Sequence, residues 1–225
     1  MTHDNFIYEV NEELRQEKFY TFWKRYGSFV IGVVIIFVLM IIIYQIYQQQ
    51  QINKANNVGD TFITGLDLAD AHHFDEAIKK LKSVKKSDFG GYPFLAGLRE
   101  ASLWMERGDT AKSVQMFDMI AADEKAPQIL RKIAKIRAAY ILVDIGTFDD
   151  VMQRVKEMAN DIDPMRMSAR EALGLAAYKA DTMENAVYYF QKIVEENALE
   201  FKITDRAKIM LELIQASGKV KEGIN

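Results

Sequence analysis

The stretch "KADTMENAVYYFQKI" (Lys179–Ile193) reads as a helix end, a short polar turn and an amphipathic helix with a small residue, Ala186, near its start. Three upstream stretches repeat that plan: "DAHHFDEAIKKLKSV" (70–84), "ERGDTAKSVQMFDMI" (106–120) and "DIGTFDDVMQRVKEM" (144–158). Superposing Ala77, Ser113, Val151 and Ala186 also superposes Leu81, Phe117, Val155 and Phe190, then Val84, Ile120, Met158 and Ile193. The aligned positions are 36, 38 and 35 residues apart. A period of about 34 residues built from paired helices is the signature of tetratricopeptide repeats.

Twelve residues before each aligned position stand Gly65, Ala101, Ala139 and Gly174. Small side chains at both places let two antiparallel helices approach closely. Pro93, Pro127 and Pro164 fall between units, where a proline opens a helix without losing a hydrogen bond. Gly108 and Gly146 stop the first helices of their pairs, and Asp109 or Thr110, Thr147 and Asp181 or Thr182 can cap the second ones. The segment "TDRAKIMLELIQASGK" (204–219) fits a solitary capping helix that starts at Thr204 or Asp205 and ends at Gly218, with Ala207, Met210, Leu211 and Ile214 as its apolar stripe. The alternative to this stack is an ordinary helical bundle.

Upstream the chain changes character. No residue between Arg25 and Lys54 is charged, although charged residues make up 27% of the chain. From Phe29 to Tyr47 only Gly32 and Gln45 interrupt the apolar run. A hydrocarbon core of roughly 30 Å needs about 20 helical residues, so this length suits a full span. Tyr20, Trp23 and Tyr26 at one end and Tyr44 and Tyr47 at the other match an interfacial aromatic belt. The run is longer than a secretory h-region, and its lead carries Asp4, Glu9, Glu12, Glu13 and Glu17, so a retained anchor is expected rather than a cleaved signal. Arg15, Lys18, Lys24 and Arg25 precede the span and only Lys54 follows closely, which places the amino end in the cytoplasm.

The expected organisation is a cytoplasmic tail (1–26), a transmembrane helix (27–47), a stalk or helix extension "QQQQINKANN" (48–57), a tetratricopeptide-like domain (58–219) of about four helical hairpins plus a capping helix, and a C-terminal tail (220–225). The fold class is all-α.

The 225 residues carry a net charge of -3, which gives no reason to expect nucleic acid as a partner. With no cysteine, the chain has no disulfide, no Cys-ligated zinc and no cysteine nucleophile. His72 and His73 are adjacent on a turn and His3 is remote, with no HExxH spacing. "GDTAKS" (108–113) lacks the second glycine of a phosphate loop, and "DIDP" (161–164) lacks the rest of a calcium loop. No catalytic, cofactor-binding or metal site is expected, no cofactor and no small-molecule substrate. An enzyme with an unrecognised site would need buried, pKa-shifted carboxylates gathered in one pocket.

What remains is surface. In stacked hairpins the first helix of each pair lines the concave face. That face would present Phe62 and Leu66, Leu98 and Met105, Ile136 and Tyr140, and Leu175 and Tyr178 as a protein-binding groove, or those side chains would be buried against neighbouring helices.

The lead and anchor "NEELRQEKFYTFWKRYGSFVIGVVIIF" (11–37) resembles the YfgM-like family of bacteria, with Phe22, Trp23, Lys24, Tyr26 and Gly27 carrying the match. That resemblance implies an ancillary subunit of the SecYEG translocon in the inner membrane. Its tetratricopeptide-like domain would lie in the periplasm and contact the translocon and a membrane-anchored periplasmic chaperone during export. A scaffold for another envelope or cell-wall assembly is the competing expectation.

Overall fold

The computed structural model describes residues 3–87, 89–196 and 201–219, with side chains from Tyr20 onward except those of Thr21 and Phe201. The tail expected at 220–225 and the side chains of Arg15 and Lys18 lie outside this description. The described residues are helical or in turns, without a strand. The chain divides into two compact units, Met1–Asn56 and Asn57–Asn225.

The first unit consists of the long helix α1, which runs from His3 to Asp70 and so continues into the second unit's sequence. No proline interrupts it, and residues 48–57 are helical within it. It is long and apolar enough to cross a membrane. Its apolar side chains, among them Phe29, Ile36, Phe37, Ile43 and Tyr47, are exposed around the whole helix circumference.

The second unit stacks four helix pairs. Residues 57–70 of α1 pair with α2 (Phe74–Lys85), α3 (Tyr92–Glu106) with α4 (Thr110–Ala122), α5 (Gln128–Ile145) with α6 (Phe148–Val155), and α7 (Arg166–Lys179) with α8 (Met183–Glu195). A 3-10 turn, Lys156–Ala159, prolongs α6, and α9 (Phe201–Ala216) closes the stack against α8 and α7. First helices also touch across pairs, α3 on α5 and α5 on α7.

The repeat register explains this packing. Ala77, Ser113, Val151 and Ala186 are all buried, as are Leu81, Phe117, Val155 and Phe190 four residues on. Each fully buried Leu, Val or Phe contributes about 1.5–3 kcal/mol. A Cβ on Gly65 would meet Leu81 at 3.2 Å, and one on Gly174 would meet the Phe190 ring at 2.8 Å, so the first helix in each case rests almost directly on its partner.

The turns are also in phase. His72, Gly108 and Asp181, each five residues before its aligned position, adopt left-handed backbone at φ 61°, 87° and 58°. Gly146, the equivalent residue of the third pair, is extended instead. Thr147 and Asp150 then form a reciprocal capping box, and Asp109 caps α4 by accepting from the Lys112 N–H. Thr182 occupies the N-cap of α8, but its hydroxyl donates back to the Ala177 carbonyl. Pro93 lies in the first turn of α3, Pro127 is the N-cap of α5, and Pro164 stands one residue before Met165, the N-cap of α7, in sequence order Pro164-Met165-Arg166.

One boundary differs from the sequence reading. The last helix, described over Phe201–Ala216, is already helical ahead of Thr204 and Asp205, where the sequence reading started it. Ile203 packs into the apolar cluster beneath α8 and Thr204 is buried, so the core recruits the extra turn. Ala207 and Ile214 are buried and Met210 and Leu211 half-buried, giving the stripe expected for a cap.

Candidate functional site

A cleft of about 630 Å³ opens along α3 and α5. Ser102 and Met105 come from α3, a run from Ile136 to Ile145 from α5, Phe117 from α4 and Ser168 from α7. The lining is mostly apolar, and Met105 and Ile145 present it to solvent at 42% and 51% exposure. Of the eight groove residues expected from the repeat register, Met105, Ile136 and Tyr140 come together here. Phe62, Leu98, Leu175 and Tyr178 pack, half-buried, against the three apolar clusters, with the Phe62 ring edge-on to Tyr92. Leu66 is half-buried outside the cleft.

Tyr140 is more than a wall residue. Its hydroxyl donates to Glu171 of α7, a carboxylate only 2% exposed that also accepts from Arg206 of α9 at 2.6 and 2.9 Å. Burial pushes the Tyr140 phenol up, and the hydrogen bond and negative charge of Glu171 push it further, so it stays neutral through the physiological range. The bracket ties α5, α7 and α9 together at one point. Sequence reading missed Glu171 and Arg206 because Glu171 stands at the register position that Phe62, Leu98 and Ile136 fill in the other pairs. The signal was there: a charge where the repeat calls for an apolar side chain needs a partner.

The cleft lining carries one charge of each sign, Arg137 and Asp144. Arg99 of α3 donates to Glu106 at 2.9 Å and to Asp70 at 3.2 Å. Arg137, which lines the cleft on α5, has no hydrogen-bond or ion-pair partner among the described residues. At the other end of the same lining, the Asp144 carbonyl accepts from the Lys179 ammonium.

Other buried charges sit at helix junctions. Glu100 is paired with Lys85 at 3.0 Å and Lys82 at 3.9 Å. Arg170 binds Glu196, Asp161 and the Ala159 carbonyl, and Asp163 binds Lys132 at 2.6 Å. The carboxylates of the "DIDP" loop are therefore committed to cations of the protein. Burial raises the Asp163 carboxyl, but Lys132, the Met165 N–H and Arg166 outweigh it and hold the group below the usual carboxylate range. His73 lies 3.9 Å from Glu76 on the exposed first turn, and the described residues contain no cluster of three metal-ligating side chains. None of these carboxylates lines the cleft.

No curated protein and no solved structure matches the chain. A family model does match, over residues 20–196, and it takes in the apolar part of α1 together with all four helix pairs. Domains of that kind are typically non-catalytic scaffolds for protein interaction. The paired-helix register, the small-residue contacts and this match agree, and the chain belongs to the tetratricopeptide repeat-like domain family.

Proposed function

We propose that this protein is a membrane-anchored adaptor that binds other proteins through the α3/α5 cleft. The observation that carries the reading is the cleft itself, an apolar concavity of about 630 Å³ whose Met105 and Ile145 remain in solvent. Met is unbranched and polarizable and moulds to varied partners, as interaction surfaces require.

The anchor reading rests on exposure. Soluble chains rarely expose contiguous apolar patches beyond a few hundred Å². The Phe29–Tyr47 segment of α1 is apolar on every side and uncovered, which suits lipid. Basic residues ahead of it support a cytoplasmic amino end, with residues 48–225 on the far side. Confinement to the membrane raises the effective concentration of a weak site for partners in the same membrane. The resemblance of residues 11–37 to the YfgM-like family supports a place beside the SecYEG translocon and a periplasmic chaperone.

The test is co-purification from native membranes of the full chain and of a Met105→Glu/Ile145→Glu double variant. Both side chains are exposed, so helicity should be unchanged while associated translocon or chaperone subunits are lost. Retention of the same partners by the double variant would remove the cleft from the account. Association with cell-wall enzymes alone would favour the scaffold alternative.

A further inference from the structure

We propose that residues 220–225 of this chain dock across the C-terminal ends of α7 and α5 and cover Ile145 at the edge of the cleft, so that a protein partner has to displace them. The competition rests on the cleft being the partner site; the contact within the chain does not.

The argument starts from where the described chain leaves the last helix. Gly218, at φ 65°, turns the backbone out of α9. Lys219 then donates to Asp181 at 2.6 Å, in the turn between α7 and α8. Two residues before Asp181, the Lys179 ammonium reaches across to the Asp144 carbonyl of α5. Asp144 and Ile145 line the cleft. A run of direct contacts thus leads from Lys219, through the end of α7, to the cleft.

The reach is sufficient. Packed helices lie about 8–10 Å apart, so crossing from α9 over α7 to α5 takes about 16–20 Å. The six residues "VKEGIN" (220–225) cover about 20 Å when extended at about 3.3 Å each. Because the segment starts beside its target, its effective concentration there is in the millimolar range, and a weak contact is enough to hold it.

Its chemistry fits the surface that it reaches. Lys221 and Glu222 carry one charge of each sign. At the ends of α5 and α7, the Asp144 carboxylate has no ion-pair partner among the described residues, and the Lys179 ammonium has only a carbonyl. Lys221 against Asp144 and Glu222 against Lys179 complement both charges, which an all-acidic or all-basic segment could not do. Two residues further on stands Ile224, and the apolar side chain open to it is Ile145, 51% exposed. Covering Ile145 removes apolar surface from water at the place where a partner would bind.

The experiment uses the full chain in detergent micelles. Its sequence has no cysteine, so introduced pairs report without background. The pair Asn225→Cys/Ile145→Cys is compared with Asn225→Cys/Leu213→Cys, Leu213 being 46% exposed on α9 itself and nearer in sequence to Lys219. Under mild oxidation the Ile145 pair should close within one chain at least about fivefold faster than the Leu213 pair, although sequence proximity alone favours the latter. Adding Lys221→Glu/Glu222→Lys should remove that advantage, and adding Asp144→Lys/Lys179→Glu to the swapped chain should restore it. Equal rates, faster closure to α9, or an advantage untouched by the charge swap would overturn the contact. A disulfide joining two chains would assign the segment to a neighbouring copy and overturn it as well.

The competition is read in native membranes. The full chain with Lys221→Glu/Glu222→Lys should capture at least about twofold more partner than the parent, because more of its clefts are open. Equal or lower capture would overturn the competition and leave the adaptor reading standing. The adaptor reading falls separately, if the Met105→Glu/Ile145→Glu variant keeps its partners.

Discussion

Gly174 and Phe190 stand so close that a Cβ on the glycine would lie 2.8 Å from the ring. This contact fixes how near α7 and α8 approach, and Phe190 is fully buried beneath it. Alanine is the better helix former by about 1 kcal/mol. Overpacking a rigid ring costs about 1–3 kcal/mol and should exceed that gain. Gly174→Ala should therefore lower the unfolding midpoint in urea, whereas Gly91→Ala, with open space around its Cβ position, should not. An unchanged or raised midpoint for Gly174→Ala would show that the pair can separate without penalty.

Arg206 covers a carboxylate that is otherwise sealed from water. Replacing it with methionine leaves Glu171, 2% exposed, with only the Tyr140 hydroxyl. Stranding a buried charge in this way costs about 3–5 kcal/mol. Tyr140→Phe removes one hydrogen bond and should cost about 1 kcal/mol. Hydrogen exchange should show α9 opening first in Arg206→Met, because the bracket is its link to α5. Equal effects of the two substitutions would mean that the charge is solvated.

Acid should loosen the α5/α7 junction. The Asp163 carboxyl is held below its ordinary value in the fold. A depressed carboxyl stabilises the folded state fully above the unfolded aspartate value, about pH 4, and that contribution is lost as pH falls toward the folded value. Asp163→Asn should thus be less stable at neutral pH and lose less stability than the parent below about pH 4. Parallel stability–pH curves for the two proteins would dismiss the Lys132–Asp163 pair as a contributor.

The anchor reading makes a plain prediction for fractionation. After alkaline extraction of membranes, the full chain should stay with the lipid, and a chain beginning at residue 48 should be released. A phosphatase fused after Asn225 should be active only if the domain has crossed the membrane. Release of the full chain, or an inactive fusion, would reverse the corresponding step.

Much of the fold was legible because its determinants are periodic. A small residue at Gly65, Ala101, Ala139 and Gly174, met twelve residues on by Ala77, Ser113, Val151 and Ala186, specifies which helices touch, and burial follows the same register. The cleft was only partly legible. The register brings Met105, Ile136 and Tyr140 to it, but whether Leu98 or Tyr178 faces solvent depends on how far neighbouring pairs rotate, which no single repeat encodes. Charges are harder still. Arg99 and Arg137 share a register position and each has a carboxylate seven residues on, yet Arg99 pairs with Glu106 and Asp70 while Arg137 has no ion-pair partner among the described residues. The helical turn ahead of Thr204 escaped notice because its burial comes from Ile203 packing on the cluster beneath α8, a tertiary contact.

The most direct test of the account is photo-crosslinking from single positions in the full chain within native membranes. A photoreactive side chain at Ile145, in the cleft, should give a discrete protein adduct, while one at Met119, 66% exposed on α4 and outside the cleft, should give none. Equal adducts from both positions, or an adduct only from Met119, would contradict a binding site between α3 and α5.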